Sequence, residues 1–405
     1  MTDRLYLKDA YCKNFSATVL SCLEIDGQWG VELDRTAFFP EGGGQAADQG
    51  TIQGFPVKDV QEIDGRVLHF LDVEMSEGKA GETEWYVKSN PETKLRVGDM
   101  VECAIDWALR YARMQAHTGE HILSGTVHKR FHYDNVGFHM NDSMMVVDFN
   151  GPLTGEDIDA IELAANEAIY QNAEVRAWYP SAEEVVSLEY RSKLDITEDL
   201  RIVTIGEGID SCACCAPHVA RTGEVGLIKV LNFYPHKQGT RIEMVAGSVA
   251  LRDYIRLNAS VRELMRLTSA TREGIVETVR KRYDEYQDLC YENRQQACRL
   301  ALLELETQSL DDVIYGFAEE LSFEELRFCA NHYAETGCRM CLLLSQNAGE
   351  CIYVASSKTE DVQPLVKALN ETFAGKGGDK AGYAQGKISV RDRGEIEEFL
   401  GNALF

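Results

Sequence analysis

The sequence predicts an α+β protein built from several domains, and three observations support that class. The chain has 405 residues, more than a single hydrophobic core usually serves. Its first part is rich in short segments of the β type, and its second part mixes strand and helix patterns. A long helical stretch with heptad spacing separates these parts from a last part in which helices and strands alternate. We therefore expect four domains, with bounds 1–95, 96–247, 248–307 and 308–405.

Residues 1–95 have the pattern of a small β domain. Runs of β-branched and aromatic residues between Gly and Asp turns predict strands at 17–24, 29–33, 57–63, 66–71 and 83–87. The stretch from Thr36 to Gly50 interrupts this pattern and contains three consecutive glycines, Gly42, Gly43 and Gly44. Such glycines let a backbone approach a ligand or another chain segment closely. An ordinary glycine-rich loop is the alternative interpretation, and the residues alone leave it open.

Two separate segments indicate a metal site. His117 and His121 are four residues apart on a helix predicted from 107 to about 130, so their imidazoles project from one face. Cys214 and His218 repeat that spacing across a tight turn. Three imidazoles and one thiolate are ligands that Zn²⁺ accepts. The sequence therefore predicts one zinc ion per chain, bound by these four residues.

The other elements of residues 96–247 surround these two segments. Asp106 precedes the histidine helix and has a side chain suited to an N-cap. Further patterns predict two strands within 136–149, a helix over 154–172, strands on both sides of Tyr190, a strand over 201–205 that leads into the cysteine turn, and a strand pair at 227–233 and 240–245. Strands and helices are thus mixed in this part of the chain, which is typical of an α+β domain.

Residues 248–307 have helical periodicity. Mostly apolar side chains recur three and four residues apart from Val276 to Leu300, which is the spacing of a heptad seam, although polar Asn293 and small Ala297 weaken it. A turn at 268–274 would divide this stretch into two helices. An intramolecular helix hairpin and a dimeric coiled coil both fit the pattern, and a homodimer through residues 248–405 is one expectation.

Residues 308–405 contain a second glycine-rich segment. Lys376, Gly377, Gly378 and Lys380 lie in it, and backbone amides beside lysines are suited to binding phosphate. We expect this segment to be a loop, and a flexible surface loop without a ligand is the alternative.

The totals exclude several classes of protein. Lys and Arg number 41 and Asp and Glu 66, which gives a net charge of −25. This charge argues against bulk, non-specific nucleic-acid binding, but it is compatible with a local basic track on the surface. No apolar run reaches the length of a membrane span, and the first residues lack the apolar part of a signal peptide. Twelve cysteines in such a chain indicate reduced thiols and a metal site. A cytoplasmic protein without a membrane partner is expected.

In their order along the chain, these motifs resemble the free-standing alanyl-tRNA editing proteins (AlaX), which are relatives of the editing domain of alanyl-tRNA synthetase. The resemblance rests on residues 36–50, the His117/His121 helix, the Cys214/His218 turn and residues 221–226. The glycine segment followed by residues 384–386 is similar to the DHH-associated domain at the C-terminus of the synthetase. The resemblance implies the long form of the editing protein, with a β-barrel-like N-terminal domain and a DHH-associated tRNA-binding domain.

The resemblance also implies a reaction and a partner. Family members hydrolyse alanine tRNA that carries serine or glycine by mistake, and their zinc ligands match the four residues named above. The family's matching threonine lies beside the substrate side chain, which makes Thr36 a candidate sensor of the serine hydroxyl. The extra thiols of Cys212 and Cys215 leave open which sulfur binds the metal, although Cys214 fits the spacing.

Two further residues are candidates for catalysis, and two other functions compete. Gln45 is a candidate for contacts to the 3′ end of the tRNA, and Glu120 is either a general base or an exposed helix carboxylate. Four protein ligands usually mark a structural zinc, so a non-catalytic tRNA-binding protein is one rival. His117 to His121 also spell the inverted zincin pattern H-x-x-E-H of metalloproteases, but that function leaves Cys214 and His218 unexplained.

Overall fold

The computed structural model of the chain describes residues 2–25, 27–72, 75–77, 84–87, 90–192, 200–306, 313–347, 350–390 and 393–404. The predicted class is confirmed, because helices and sheets are mixed and the chain forms two compact units, Met1–Ser260 and Val261–Phe405. The predicted division into four domains stays a prediction, and its boundary at 307/308 lies outside the described residues. Among the described helices, none is both long and apolar enough to cross a bilayer.

The first part of the chain is mostly β-structure. Its elements are β1 (Asp3–Arg4), α1 (Leu5–Lys8), β2 (Asn14–Ile25), β3 (Gln28–Leu33), β4 (Arg35–Thr36), β5 (Gly50–Ile52), β6 (Phe55–Ile63), β7 (Arg66–Leu71), β8 (Met75–Glu77), β9 (Glu84–Val87), β10 (Asn90–Arg96) and β11 (Met100–Ile105). Six of these strands form a closed barrel in the order β11-β2-β3-β7-β6-β5. Alternating side chains such as Val19, Val31 and Val60 fill its interior, as the two-residue period of a strand requires.

The glycine loop, residues 36–50, connects β4 to β5 and lies outside the barrel sheet. Gly42 and Gln45 pair their backbones across a tight turn, and Gly43 and Gly44 in that turn have φ of 60° and 82°. Side chains rarely adopt such angles, which accounts for two of the three glycines. A Cβ at Gly44 would also lie 2.8 Å from the ring of Phe138. The glycines therefore allow this turn to approach a neighbouring strand.

The next part contains the long histidine helix and the cysteine turn. Its elements are α2 (Trp107–Phe131), β12 (Asn135–Met140), β13 (Met145–Phe149), α3 (Gly155–Tyr170), β14 (Val175–Trp178), α4 (Ala182–Ser187), β15 (Ile202–Ile205), β16 (Asp210–Ala213), a 3-10 turn (Thr222–Val225), β17 (Ile228–His236) and β18 (Gly239–Ala246). The predicted N-cap is confirmed, because the Asp106 carboxylate accepts a hydrogen bond from the Leu109 amide. We call α2 the metal helix and residues 214–218 the cysteine turn.

The metal helix is buried along most of its length, which explains how it holds polar side chains precisely. Its apolar residues, among them Met114, Ile122 and Leu123, share one core with the four-stranded sheet β12-β13-β18-β17 and with α3. A three-stranded sheet, β14-β15-β16, ends next to the cysteine turn. The expectation that the strand at 201–205 enters the turn directly was wrong, because β15 first turns back through 206–209 and pairs with β16.

Helix α5 (Gly247–Thr268) spans the boundary between the two units, and α6 (Ile275–Glu306) belongs to the second unit. The apolar seam of α6 is exposed in its first half, with 66 % of Val276 and 62 % of Tyr283 and of Tyr286 accessible. The choice between a hairpin and a dimeric coiled coil stays a prediction.

The second unit contains a five-stranded mixed sheet with helices on both faces. Its elements after α6 are β19 (Val313–Glu319), α7 (Phe323–Thr336), β20 (Met340–Asn347), β21 (Glu350–Ser356), α8 (Gln363–Thr372), β22 (Lys376–Lys380), β23 (Tyr383–Ile388) and α9 (Arg393–Leu404). The strand order is β19-β20-β21-β23-β22, so β22 is an edge strand. Helices α6 and α7 cover one face, and α8 and α9 cover the other.

The predicted glycine loop at 375–386 is instead a β-hairpin made of β22 and β23. Gly377 and Gly386 lie opposite each other in this hairpin, and a Cβ on either would overlap the Tyr353 hydroxyl. Glycine weakens strands in general, so its frequency here indicated a loop. The close approach to Tyr353 is the physical reason for the glycines, and it requires the neighbouring strands of one sheet.

Candidate metal centre

The metal helix and the cysteine turn bring four potential ligands together. One donor atom from each of His117, His121, Cys214 and His218 lies within 4.8 Å of the others. The Cys214 sulfur is 3.6 Å from His117 Nε2 and 3.4 Å from His218 Nε2. The three histidines are buried, and Cys214 is partly exposed. Three imidazole nitrogens and one sulfur form a donor set that fits a divalent metal ion.

Each histidine uses its outer nitrogen for a contact with the protein. His117 Nδ1 lies 2.8 Å from Gln45 Oε1, His121 Nδ1 lies 3.1 Å from Asp210 Oδ2, and His218 Nδ1 lies 3.0 Å from Thr118 Oγ1. The Gln45 and Asp210 oxygens accept hydrogen bonds, so the hydrogen of those two rings is on Nδ1. Their Nε2 lone pairs then face Cys214, which is the arrangement found when histidines ligate a metal.

Burial and neighbouring charges set the charge states of the group. Burial disfavours the Cys214 thiolate, but His117 and His218 outweigh it and hold the pKa of this thiol well below its ordinary value. Burial lowers the pKa of His218 to about 3, against the opposing effect of Cys214. Burial also disfavours a charged His121, yet Cys212 and Asp210 raise the pKa of His121 well above its ordinary value. Thiolate and neutral imidazole are the forms that bind metal ions, so metal binding would release the proton that the raised pKa favours on His121.

Two arginines of the metal helix hold the glycine loop beside the histidines. Arg110 is fully buried and binds both oxygens of Asp48, and it also donates to the Ala37 carbonyl. Arg113 binds the Ala47 carbonyl of the same loop. Bidentate arginine contacts are specific in geometry as well as strong. They keep Gln45 in contact with the metal helix.

The cysteine turn is fixed from several sides. Arg201 donates to the carbonyl oxygens of Cys214 at 2.8 Å and of Ala216 at 3.1 Å. Ala216 also packs with Phe39 of the glycine loop and with Tyr6. The backbone around Cys214 is therefore held against the glycine loop, α1 and the residue that precedes β15.

Glu120 is buried, so the expectation of an exposed helix carboxylate was wrong. Only 3 % of the residue is accessible, and Asn135 at the start of β12 contacts its carboxylate. Ser124 donates to its Oε1 at 2.5 Å, and the Asn135 amide donates to the same oxygen. Glu120 Oε2 lies 4.0 Å from His121 Nε2, on the side of the ring that faces the group.

Gln45 is fully buried and offers one unused donor. Its Oε1 contacts His117, and its Nε2 has no hydrogen-bond partner within the described ranges. A buried amide without a partner is costly, so such a group is expected where a ligand will bind.

Thr36 is buried at the end of β4, and its hydroxyl contacts His69 of the barrel strand β7. His69 Nδ1 lies 2.8 Å from the Val31 carbonyl, which accepts, so the hydrogen of this ring is on Nδ1. The Thr36 hydroxyl therefore donates to His69 Nε2 at 2.7 Å, and it accepts from the Phe38 amide at 3.1 Å. Burial lowers the pKa of His69 to about 4, despite the contact with Val31, so the ring is neutral at neutral pH. One lone pair of Thr36 Oγ1 is left to accept a further bond.

The remaining predicted residues do not belong to the four-residue group. Cys215 is exposed and does not belong to it, and Cys212 shares only His121 with it, in a second set that includes Asp210. Gly42 is at the start of the turn that carries Gln45. The phosphate-site residues Lys376, Gly377, Gly378 and Lys380 are exposed on β22 of the second unit.

Sequence reasoning missed several residues that support the group. Arg110 lies seven residues before His117, and a seven-residue spacing on a helix indicates a shared face, so this signal was available. Asp48 lies within the glycine motif itself. Thr118, His69 and Asp210 carried no local signal, because their partners are remote in sequence.

Two family models match the chain. Residues 13–108 match the model described as class II (A) tRNA synthetases, and residues 200–244 match the second additional domain of threonyl and alanyl tRNA synthetases. The first match includes the glycine loop, and the second includes Cys214 and His218.

Similar proteins cover the chain almost completely. The alanyl-tRNA editing protein AlaX-L of Pyrococcus horikoshii is 29% identical over 96% of this chain and 96% of its own length. The alanyl-tRNA editing protein Aarsd1 of Rattus norvegicus is 26% identical over 97% of this chain and 96% of its own length. The alanine–tRNA ligase of Ignicoccus hospitalis is 32% identical over 69% of this chain, which spans 30% of that protein.

Among solved structures, the C-Ala domain of Aquifex aeolicus alanyl-tRNA synthetase matches 22% of this chain and 86% of its own at 25% identity. The TM-score of 0.20 is too low to establish a shared fold. The resemblance to the free-standing alanyl-tRNA editing proteins, predicted from the motifs, is thus confirmed by similarity that extends over 96% of the chain.

Proposed function

We propose that the chain is a zinc-dependent hydrolase that removes serine or glycine wrongly attached to alanine tRNA. The observation that carries this proposal is the convergence of three imidazole Nε2 atoms and one sulfur in a chain that resembles alanyl-tRNA editing proteins from end to end. The bond to be broken is the ester between the amino acid and the 3′ ribose. One zinc ion per chain would be held by His117, His121, Cys214 and His218.

The metal site needs an accessible side for catalysis. A bound zinc ion would polarise the ester carbonyl and stabilise the negative charge that develops on it. Cys214 is the partly exposed member of the set, so the substrate would approach from its side.

Glu120 and Gln45 are the polar side chains that we assign to the reaction. Glu120 is held by Ser124 and Asn135 through one oxygen, and the other oxygen is the proposed acceptor of the proton from the attacking water. A general base must be fixed within reach of that proton. Gln45 Nε2 is a donor without a partner among the described residues and would bind the substrate carbonyl or the 3′ ribose.

Thr36 is the proposed sensor of the serine hydroxyl. Its own hydrogen is directed to His69, so it is restricted to accepting a hydrogen bond from the substrate. A site built for a hydroxyl rejects an analogue that lacks one, because the site's own polar group is left unpaired. Alanine lacks the hydroxyl of serine, which would spare correctly charged tRNA.

The rest of the tRNA would be bound at the two glycine-rich segments. The backbone of Gly42, Gly43 and Gly44 is proposed to contact the 3′ end, and the reaction would then occur between residues 1–95 and the proposed editing domain 96–247. For the proposed DHH-associated domain 308–405, the exposed edge strand β22 supports phosphate contacts by Lys376 and Lys380 and by the backbone at Gly377 and Gly378. Such contacts weaken with added salt.

A homodimer through residues 248–405 is also proposed, with the exposed apolar seam of α6 as its supporting observation. Two seams of this kind pack together in coiled coils. Sedimentation of the full chain, with Tyr283→Lys as the disrupting variant, tests this assembly, since a monomeric wild-type protein contradicts it.

Two observations bear on the rival functions. The Cys214 sulfur lies beside two of the histidines, and this contact has no role in an H-x-x-E-H metalloprotease. A non-catalytic tRNA-binding protein with a structural zinc has no need of the buried Glu120 carboxylate or of the unpartnered Gln45 amide.

One experiment separates these functions. Metal content and deacylation of Ser-tRNA(Ala) are measured for the wild-type chain, for Cys214→Ala and for Cys215→Ala. Cys215 is the matched control, because it is the adjacent thiol and is exposed outside the group. We expect one zinc and activity in the wild type and in Cys215→Ala, and neither in Cys214→Ala. Zinc without activity in the wild type would favour the structural rival, and activity without metal would contradict the proposal.

A further inference from the structure

The outer contacts of the three histidines differ in charge. Gln45 and Thr118 are neutral partners, whereas His121 contacts the carboxylate of Asp210. Asp210 is 6 % accessible and is also bound by Arg191, whose Nε lies 2.7 Å from Oδ1 and whose Nη2 lies 2.8 Å from Oδ2. Only one of the three rings therefore has a charged outer partner.

We propose that Asp210, held in place by Arg191, is a positioning residue that fixes the His121 ring and thereby sets the affinity of the site for its metal. The inference rests on the proposed metal site and adds two residues to it. A carboxylate on the outer nitrogen of a ligating histidine orients the ring and makes the ligand more basic.

The contacts of Asp210 restrict its movement. Both oxygens accept from the guanidinium in a bidentate pair, and Oδ2 also faces His121 Nδ1. Rotation of the carboxylate would break all three contacts in a buried setting, where each is costly to lose. The direction of the His121 ring is therefore fixed by Arg191 through Asp210.

The backbone adds a second constraint. The Arg191 amide donates to the Ser211 carbonyl at 2.8 Å, and the Ala213 amide donates to the Arg191 carbonyl at 2.9 Å. Asp210 begins β16, and β16 ends at Ala213, one residue before Cys214. One short strand thus carries the positioning carboxylate at its start and leads directly to a metal ligand at its end.

A second cation bound by His121, Asp210 and Cys212 is a competing assignment, since their donor atoms also lie within 4.8 Å of one another. The Arg191 guanidinium already occupies both Asp210 oxygens, and it would lie beside that cation. Repulsion between the two positive charges disfavours binding there. A positioning role for Asp210 accounts for its contacts with both Arg191 and His121.

The test compares zinc affinities of purified full-length proteins by competition with a chromophoric chelator. Asp210→Asn keeps the shape and an acceptor oxygen but removes the charge, and we expect a loss of about 10- to 100-fold in affinity. Asp148→Asn is the matched control, because Asp148 forms a similar bidentate pair with Arg241 at 2.6 and 2.7 Å outside the ligand group. Its zinc affinity should equal that of the wild type.

A second variant covers a failure of Asp210→Asn to fold. Arg191→Gln combined with Asp210→Asn replaces the charged pair by a neutral hydrogen-bonded one, and it should show the same loss of affinity. Folded variants with wild-type affinity would overturn the inference, as would an equal loss in Asp148→Asn.

The wild-type protein gives an independent result. In histidine ¹⁵N spectra of the zinc-loaded chain, His121 should carry its hydrogen on Nδ1 and bind metal through Nε2, and the opposite pattern would overturn the inference. A wild-type chain that binds no zinc would instead refute the proposed metal site, so the two failures are distinct.

Discussion

Buried histidines lie at two places in the first compact unit, and the hydrogen bonds of their ring nitrogens differ between the two places. Inside the barrel, His69 contacts the Val31 carbonyl through one nitrogen and the Thr36 hydroxyl through the other. At the metal helix, His117, His121 and His218 each contact a protein oxygen through Nδ1 only, while Nε2 faces Cys214 or the space beside it.

The difference separates a structural histidine from a candidate metal ligand. A ring with both nitrogens bonded inside the protein has no lone pair left, and burial keeps it neutral. Rings whose inner nitrogens converge on a thiolate retain those lone pairs for a metal. The histidine in the barrel and the histidines of the metal helix and cysteine turn are all buried, so burial does not distinguish them. The contact made by the second nitrogen of each ring does.

The largest expected effect is on metal content. His117→Ala should lower the zinc stoichiometry from one to near zero, because it removes a ligand. His69→Asn should retain the full amount, since neither nitrogen of His69 faces the group. Metal analysis of both purified variants makes the comparison. Loss of zinc from His69→Asn would show that the two groups do not act separately.

The second effect concerns the ion pair between Arg110 of the metal helix and Asp48 of the glycine loop. Arg110→Met leaves the buried Asp48 carboxylate without its partner, and we expect a loss of about 3–5 kcal/mol in the free energy of unfolding. Denaturant unfolding of the full chain measures it. The control is Arg4→Met, whose pair with Glu62 is 31 % and 38 % accessible and should contribute about 1 kcal/mol or less. Equal losses would contradict the proposed link.

The third effect is a pH dependence of the free energy of unfolding that comes from His69 in the barrel. The pKa of His69 is about 4 in the folded chain, below its ordinary value of 6.5, because burial disfavours the imidazolium. Below pH 6.5 the unfolded chain binds a proton that the folded chain does not, so stability is complete above that pH and is lost as the pH falls towards 4. The loss should reach about 3 kcal/mol.

Unfolding of the wild type and of His69→Asn at pH 7 and pH 4, both with a chelator present, isolates this contribution. The wild type should lose more stability than the variant over that interval. Parallel losses in the two proteins would exclude His69 as the source.

The smallest expected effect on stability comes from loss of the Thr36 hydroxyl, which contacts His69 and is also the proposed sensor of serine. Thr36→Val removes the donor to His69 Nε2 and leaves that nitrogen unpaired, which should cost about 1 kcal/mol or slightly more in stability. Hydrolysis of Ser-tRNA(Ala) should slow, with little change for Gly-tRNA(Ala). Rates of both substrates under single-turnover conditions test this. An unchanged serine rate would mean that the hydroxyl is recognised elsewhere.

The sequence predicted the parts of the site that follow local rules. The spacing of His117 and His121 on one helix, and of Cys214 and His218 in one turn, led directly to the four-residue group. The N-cap Asp106 and the α+β class were also within reach, because capping and periodicity are local signals.

The missed features depend on contacts between distant segments. Asp210 and Arg191 were missed because their contact depends on the pairing of strands that are distant from each other in the sequence. A surface position was one of the two expectations for Glu120, because no signal within its helix shows that Asn135 contacts it. The hairpin of β22 and β23 was predicted as a loop because it is rich in glycine. Glycine is needed there because the Tyr353 hydroxyl of a third strand leaves no room for a Cβ. Tertiary packing overrode local propensity in each case.

The distance between the two ligand segments has a consequence for biosynthesis. His117 and Cys214 are 97 residues apart in the chain. At translation rates of about 5–20 residues per second, about 5 to 20 seconds pass between the synthesis of the first and the third ligand. During that interval the nascent chain displays a histidine pair without the thiolate. Loading of the proposed metal site therefore cannot be complete until His218 has been synthesised, after 218 of the 405 residues.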